Sequence, residues 1–168
     1  IDETPLQGET VKDMVDRLTL AKAEKIATQQ SDKLIIASDQ SAAHDGKPIG
    51  KPYSYENAFK QLSAFSGKSV TFHTGLVLID QINQKTYQTQ DLTVVHFRSL
   101  SETDIRNYLL LETPYECAGS FKSEGLGITL FEKIDSTDPN ALIGLPLIQL
   151  TSFLKSTGIQ LPYLEANT

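Results

Sequence analysis

The chain has 168 residues, 39% hydrophobic and 21% charged, enough for one self-supporting core, which excludes a disordered acidic tail. Fifteen Lys and Arg against 21 Asp and Glu leave a net charge of −6, so there is no general positive field to hold duplex nucleic acid by counterion release. A single cysteine, Cys117, excludes an internal disulfide and a cysteine-cluster metal site. With no bilayer-length apolar run and no secretory signal, the expectation is a cytoplasmic protein that does not engage membranes.

The chain opens at Ile1, not at a Met, and Ile1-Asp2-Glu3-Thr4-Pro5 reads as a sequence entered midway. Thr10, with Asp13 three residues on, predicts the cap of a first helix running to about Ile26 or Ala27. Leu34-Ile35-Ile36-Ala37 predicts a short buried strand. A loop with Gly46, Pro48, Gly50 and Pro52 follows. Ser54 caps a second helix carrying Ala58, Leu62 and Phe65, which Gly67 closes. Val70 to Ile79 and Thr86 to Arg98 read as two strands of a hairpin. Ser101 and Asp104 start a helix that Pro114 stops near Glu112. Glu116 to Gly125 reads as a loop, Gly127 to Ile134 as a strand, Asp135 to Asn140 as a turn. Pro146 opens a last helix with Leu147, Leu150, Phe153 and Leu154 on its stripe, ended by Gly158. The pattern is one mixed α/β domain over residues 1–168, with two lobes as an option.

Several residues break the local pattern. Lys22 falls on the apolar stripe of the first helix, ~20° from Val11 around the axis. A buried ammonium is costly unless paired, so Lys22 either reaches the domain edge or a structural carboxylate, or enters a cleft that holds an anion. Ser38-Asp39-Gln40 follows the buried strand, where open α/β sheets bind ligands; Asp39 there is either a metal ligand or general base, or an Asx-turn residue. Gly46 to Pro52 lacks the Walker spacing and reads as a surface turn that can still present Lys51. Gly119 to Gly125 is a permissive segment able to approach a ligand, or an ordinary exposed loop. Glu3 is a weak metal-carboxylate candidate. His44, His73 and His96 lack metal spacing, and Cys117 reads as a small buried residue.

Taken together, Ile1-Asp2-Glu3-Thr4-Pro5, Leu20-Ala21-Lys22-Ala23, Ser38-Asp39-Gln40, Gly50-Lys51-Pro52, Thr71-Phe72-His73-Thr74-Gly75, Ala118 to Gly125, and Asp138-Pro139-Asn140 with Gly144-Leu145-Pro146 occur in the order seen in the Maf family. The sequence resembles these nucleotide pyrophosphatases essentially from end to end. Ser-Asp-Gln in place of Ala-Asp-Thr, with the Ser120 to Gly125 loop, resembles the 7-methyl-GTP branch more than the dTTP/UTP branch. One departure stands out: the family's opening strand and Ser-x-Ser-x-Arg-Arg phosphate loop are not in this sequence.

The resemblance implies an α/β fold like that of inosine triphosphate pyrophosphatases, with a mixed, bent, elongated sheet around a central cleft, often in a homodimer. It implies hydrolysis of a nucleoside triphosphate to monophosphate and pyrophosphate with a divalent cation, Mg²⁺ or Mn²⁺. It casts Asp39, Lys22 and Lys51 as catalytic, Glu3 and Asp39 as metal ligands, and Gln40, Thr74, Lys122 and Glu124 as substrate contacts. Two alternatives remain: the same chemistry on dTTP, UTP or CTP, and a non-catalytic nucleotide-binding regulator of cell division.

Overall fold

Side-chain caps start three helices where the sequence places them. In the computed structural model, which describes residues 1–163, Thr10 accepts from the Asp13 N–H at the head of α1 (Val11–Ala27). Ser54 does the same for Asn57 at α2 (Tyr55–Phe65). Ser101 and Asp104 form a reciprocal capping box on α3 (Glu102–Glu112). That helix ends at Thr113, in the left-handed conformation, before Pro114. The last helix, α4 (Leu147–Ser156), has Pro146 as its N-cap. No helix among the described residues is long and apolar enough to cross a membrane.

Five strands form one sheet in the order β2-β1-β3-β4-β5: β1 (Leu34–His44), β2 (Lys47–Ile49), β3 (Ser69–Asp80), β4 (Lys85–Phe97) and β5 (Phe131–Asp135). The expected hairpin is β3 with β4, paired from Ser69↔His96 to Asp80↔Lys85. All the pairings are antiparallel among the described residues, so the sheet is not the mixed one expected. The predicted strand at 34–37 continues to His44, and Ser38, Asp39 and Gln40 lie inside it, paired with Leu76, Gly75 and Thr74. They do not follow a strand end; three polar residues interrupted the apolar run and read as its boundary. Residues 47–49, expected in a loop, form the short β2 hairpin partner of β1. The predicted strand at 127–134 is a 3₁₀ segment, Leu126–Leu130, followed by β5.

Alternation along the strands sorts the two faces. Ile35, Ala37, Val77 and Ile79 pack under α1 through Leu20, Ala23 and Ala27. Leu34, Leu76 and Leu78 face the other way, onto Leu150, Phe153 and Leu154 of α4. The largest apolar cluster joins α2 and α3 to the far half of the sheet through Leu62, Phe65, Phe72, Phe97, Ile105 and Leu109. Phe121 sits in it, edge-on to Phe131 at 4.8 Å and to Phe72 at 5.3 Å. Burial of such a side chain is worth about 1.5–3 kcal/mol, which fixes the loop that carries Phe121.

The contact of α1 with β3 is unusually close. A Cβ on Gly75 would lie 2.2 Å from Thr19 Oγ1 and 2.9 Å from Val15 Cγ1. Thr19 is fully buried there, its hydroxyl donating back to the Val15 carbonyl at 2.6 Å. Gly75 is the cross-strand neighbour of Asp39. The next turn of the helix therefore brings Lys22 over Asp39.

Candidate active site

Lys22 donates to Asp39 Oδ1, and its Nζ also lies 2.9 Å from Glu3 Oε1. The ammonium that looked misplaced on the apolar stripe is thus flanked by two carboxylates. Asp39 is 14% exposed and Lys22 32%. Burial by itself would lower the Lys22 pKa; its bonds to Asp39 and Glu3 outweigh this and hold it above the usual lysine value. The same ammonium holds the Glu3 carboxyl below its usual value. Lys22 is therefore a cation at neutral pH, and Glu3 beside it is a carboxylate.

Two adjoining hollows, each of about 260 Å³, share Gln40, Lys51 and Ala118. The first is walled by Glu3, Asp39, Gln40 and Lys51, with Tyr53 at its rim. The second adds Glu116, Cys117, Lys122 and Glu124. The nucleus of predicted residues, spread over 122 positions of sequence from Glu3 to Glu124, is thereby brought to one cleft. Lys22 reaches it through Asp39. Thr74 does not line it: the residue is fully buried beneath Gln40. Cys117, expected to be buried, is half-buried on the wall, where burial pushes its thiol pKa up; it is protonated and unsuited to attack at neutral pH.

Each wall is held by identifiable contacts. The Lys51 turn is tied down by the Tyr53 N–H donating to the Tyr115 carbonyl, 2.9 Å, and by Gln61 donating to the Gly50 carbonyl. The loop bearing Lys122 and Glu124 is anchored by Phe121 and by the Lys122 N–H donating to Tyr108 Oη at 3.0 Å. Its return is tight: a Cβ on Gly127 would fall 2.2 Å from the Lys122 carbonyl oxygen. The loop core is rigid, and Lys122, Ser123 and Glu124 project from it into the cleft.

Larger hollows exist elsewhere. One of about 320 Å³ lies beside α3, lined by Arg98, Asn107 and Thr129. Another of about 410 Å³ adjoins Glu124 and is walled by Ile128, Ile134 and Ile143. The first sets Arg98 beside Asp104, whose carboxylate is already taken up by the Ser101 cap, and the second holds Glu124 with no cation, so chemistry and not volume locates the site.

The turn at 136–145 closes the cleft from the opposite face of the sheet. Asp138, 1% exposed, accepts from the Asn140 N–H at 2.8 Å and from the Ile148 N–H of α4 at 2.6 Å. Thr137 donates to Asp91 on β4. Ser38 Oγ lies 2.7 Å from both the Gly144 and the Gly75 carbonyl oxygens, and its one hydrogen serves either of them. The sequence marked Ser38-Asp39-Gln40 and the turn from Asp135 to Asn140 but gave Ser38 no role and did not join the two. The available signal was Ser38 and Gln40 at alternate positions of one strand, two polar side chains on a face that is otherwise apolar.

Glu3 and Asp39 offer hard oxygen donors of the kind Mg²⁺ or Mn²⁺ takes. No cluster of three or more potential metal-binding side chains occurs among the described residues. Two carboxylates suffice where phosphate oxygens and water complete an octahedral shell, so the donor set fits a metal that arrives with a polyphosphate.

Comparison with known proteins gives the family. The family model described as Maf-like protein matches residues 1–157. A protein named 7-methyl-GTP pyrophosphatase from Hydrogenovibrio crunogenus is 65% identical over 164 residues, covering 98% of this chain and 82% of its own length. One of the same name from Colwellia psychrerythraea is 50% identical over 159 residues, covering 95% of this chain and 80% of its own. The chain belongs to the Maf family.

Proposed function

We propose, from that membership, that this chain is a nucleoside triphosphate pyrophosphatase that hydrolyses 7-methyl-GTP to 7-methyl-GMP and pyrophosphate. The observation that carries the reading is the convergence of Lys22, Asp39 and Glu3 on a cleft that also holds Lys51 and ends at Glu124. A triphosphate is strongly anionic and the protein carries −6, so binding depends on local cations. Lys51 and Lys122 meet the phosphates in the cleft, and Lys22 reinforces them through the Asp39 side.

Asp39 orients a water and accepts its proton as the oxygen bonds to the α-phosphorus. The bond from that phosphorus to the bridging oxygen breaks, and pyrophosphate leaves with the electron pair. Lys51 neutralises charge that develops on the leaving group. Glu3 and Asp39 are the residues that would hold Mg²⁺ or Mn²⁺, which supplies charge neutralisation on the phosphates. Glu124 is suited to accept from guanine N1–H and the 2-amino group, and a 7-methylated ring adds positive charge that a carboxylate favours. The reading carries with it a cytoplasmic homodimer that takes a nucleotide and not duplex nucleic acid or membrane.

The test is pyrophosphate release from 7-methyl-GTP, GTP, UTP, dTTP and CTP with Mg²⁺ or Mn²⁺. The expected result is the highest kcat/KM for 7-methyl-GTP, and a lower 7-methyl-GTP to UTP ratio in Glu124→Gln. A preference for UTP or dTTP would assign the pyrimidine alternative. Tight binding with no release would assign the regulator.

A further inference from the structure

We propose that Thr74, together with the Ala141 and Leu142 carbonyls, locks the Gln40 amide so that only its carbonyl oxygen faces the cleft, making the base-reading wall an acceptor surface that demands the 2-amino group of guanine. The inference rests on the pyrophosphatase reading above and deepens it.

The lock follows from a donor count. Gln40 Nε2 donates to Thr74 Oγ1 at 2.9 Å, to the Ala141 carbonyl at 3.0 Å and to the Leu142 carbonyl at 3.1 Å. The amide has only two hydrogens; the consecutive Ala141 and Leu142 carbonyls can share one, and Thr74 Oγ1 takes the other, so losing the hydroxyl leaves one amide hydrogen unpaired. Thr74 has one hydroxyl hydrogen, and it goes to the Ala141 carbonyl at 3.0 Å. The hydroxyl can then only accept from Gln40. Flipping the amide would set its oxygen against two carbonyls and a hydroxyl lone pair, all fully or partly buried. Leaving such groups unpaired costs about 1–3 kcal/mol each. The amide polarity is therefore decided by its surroundings.

The consequence is chemical. Gln40 Oε1 has no hydrogen-bond partner among the described residues, and Gln40 lines the hollow that also holds Glu124. An asparagine or glutamine normally reads either a donor or an acceptor; this one presents an acceptor alone. Glu124 is likewise an acceptor. A base that offers contiguous N–H donors satisfies this wall, and guanine does so with N1–H and its 2-amino group. Hypoxanthine keeps N1–H but lacks the 2-amino group, so it leaves one of these oxygens without a donor. Thr74 acts as a positioning residue: it never touches the substrate, and its effect passes through Gln40.

The experiment compares kcat/KM for 7-methyl-GTP and 7-methyl-ITP on the unmodified chain, Thr74→Val and Thr74→Ser, each checked for folding by circular dichroism. The unmodified chain is expected to favour 7-methyl-GTP by on the order of 10²-fold, a polar-recognition value below that of fully enclosed sites because this cleft is open. Thr74→Val is expected to cut that preference several-fold, mainly through KM, and Thr74→Ser to restore it. Equal turnover of both nucleotides by the unmodified chain overturns the inference while leaving the pyrophosphatase reading intact. An unchanged preference in folded Thr74→Val overturns it as well. No turnover of either nucleotide removes the underlying reading and the inference with it.

Discussion

Replacing Asp39 by Asn separates a catalytic role for this carboxylate from a merely structural one. The substitution keeps shape and removes the charge that faces Lys22. On the structural side, a charge-assisted hydrogen bond becomes a neutral one, a difference of about 1 kcal/mol. That figure is already discounted, because Lys22 is 32% exposed and retains Glu3 at 2.9 Å. For a chain of this size it lowers Tm by about 2–4 °C. On the chemical side, losing a general base costs about 10²–10⁴-fold in kcat, or about 3–5 kcal/mol of barrier at 1.36 kcal/mol per tenfold. The kinetic loss thus exceeds the stability loss several times over. Pyrophosphate release at saturating 7-methyl-GTP, run beside a thermal melt, reads both quantities. A folded variant that keeps kcat within tenfold of the parent, with Tm lowered as calculated, would refute the reasoning and leave Asp39 as no more than a counter-ion for Lys22.

Other expectations follow from the packing and the ion pairs. Gly75→Ala drives a methyl into Thr19 and Val15, so α1 must lift from the sheet; a loss of about 1–3 kcal/mol should appear in urea unfolding, with activity falling as Lys22 moves off Asp39. Asp138→Ala leaves the Asn140 and Ile148 N–H groups without their acceptor and should cost about 1.5–3 kcal/mol, read as a fall in the urea midpoint. Arg17 grips Glu9 through two bonds, 2.6 and 2.8 Å, and holds its carboxyl pKa at about 2 against a usual 4.5. A depressed carboxylate stabilises the fold above its ordinary value and loses that contribution as pH falls through the folded one. Glu9→Gln should therefore melt below the parent at pH 7, with the gap closing between pH 4.5 and about 2; a gap that persists at pH 2 would contradict the assignment.

Local signals carried far in this chain. Thr10, Ser54 and Ser101 start their helices because a hydroxyl that satisfies an orphan N–H needs only neighbours three residues away. Lys22 was legible as misplaced because helical periodicity is also local. What it pairs with was not, since Asp39 meets it only through the close approach of α1 to Gly75. Asp39 itself was expected beyond a strand end. It lies within β1 because antiparallel pairing with β3 carries the strand on through Ala43, and a short polar run looks like a boundary when its partner strand is unseen. Pro48 and two flanking glycines concealed β2, which is held by β1 and not by its own propensity. The Gln40–Thr74–Ala141 arrangement spans 101 positions, and only the fold brings the turn at 136–145 under the strand.

Hydrolysis in H₂¹⁸O tests the site assignment most directly, because it reports which phosphorus the water meets. With 7-methyl-GTP and Mg²⁺ or Mn²⁺, mass analysis of the products should place one ¹⁸O in 7-methyl-GMP and none in pyrophosphate, as attack at the α-phosphorus from the Asp39 side requires. Label in pyrophosphate, or release of inorganic phosphate in its place, would contradict the account.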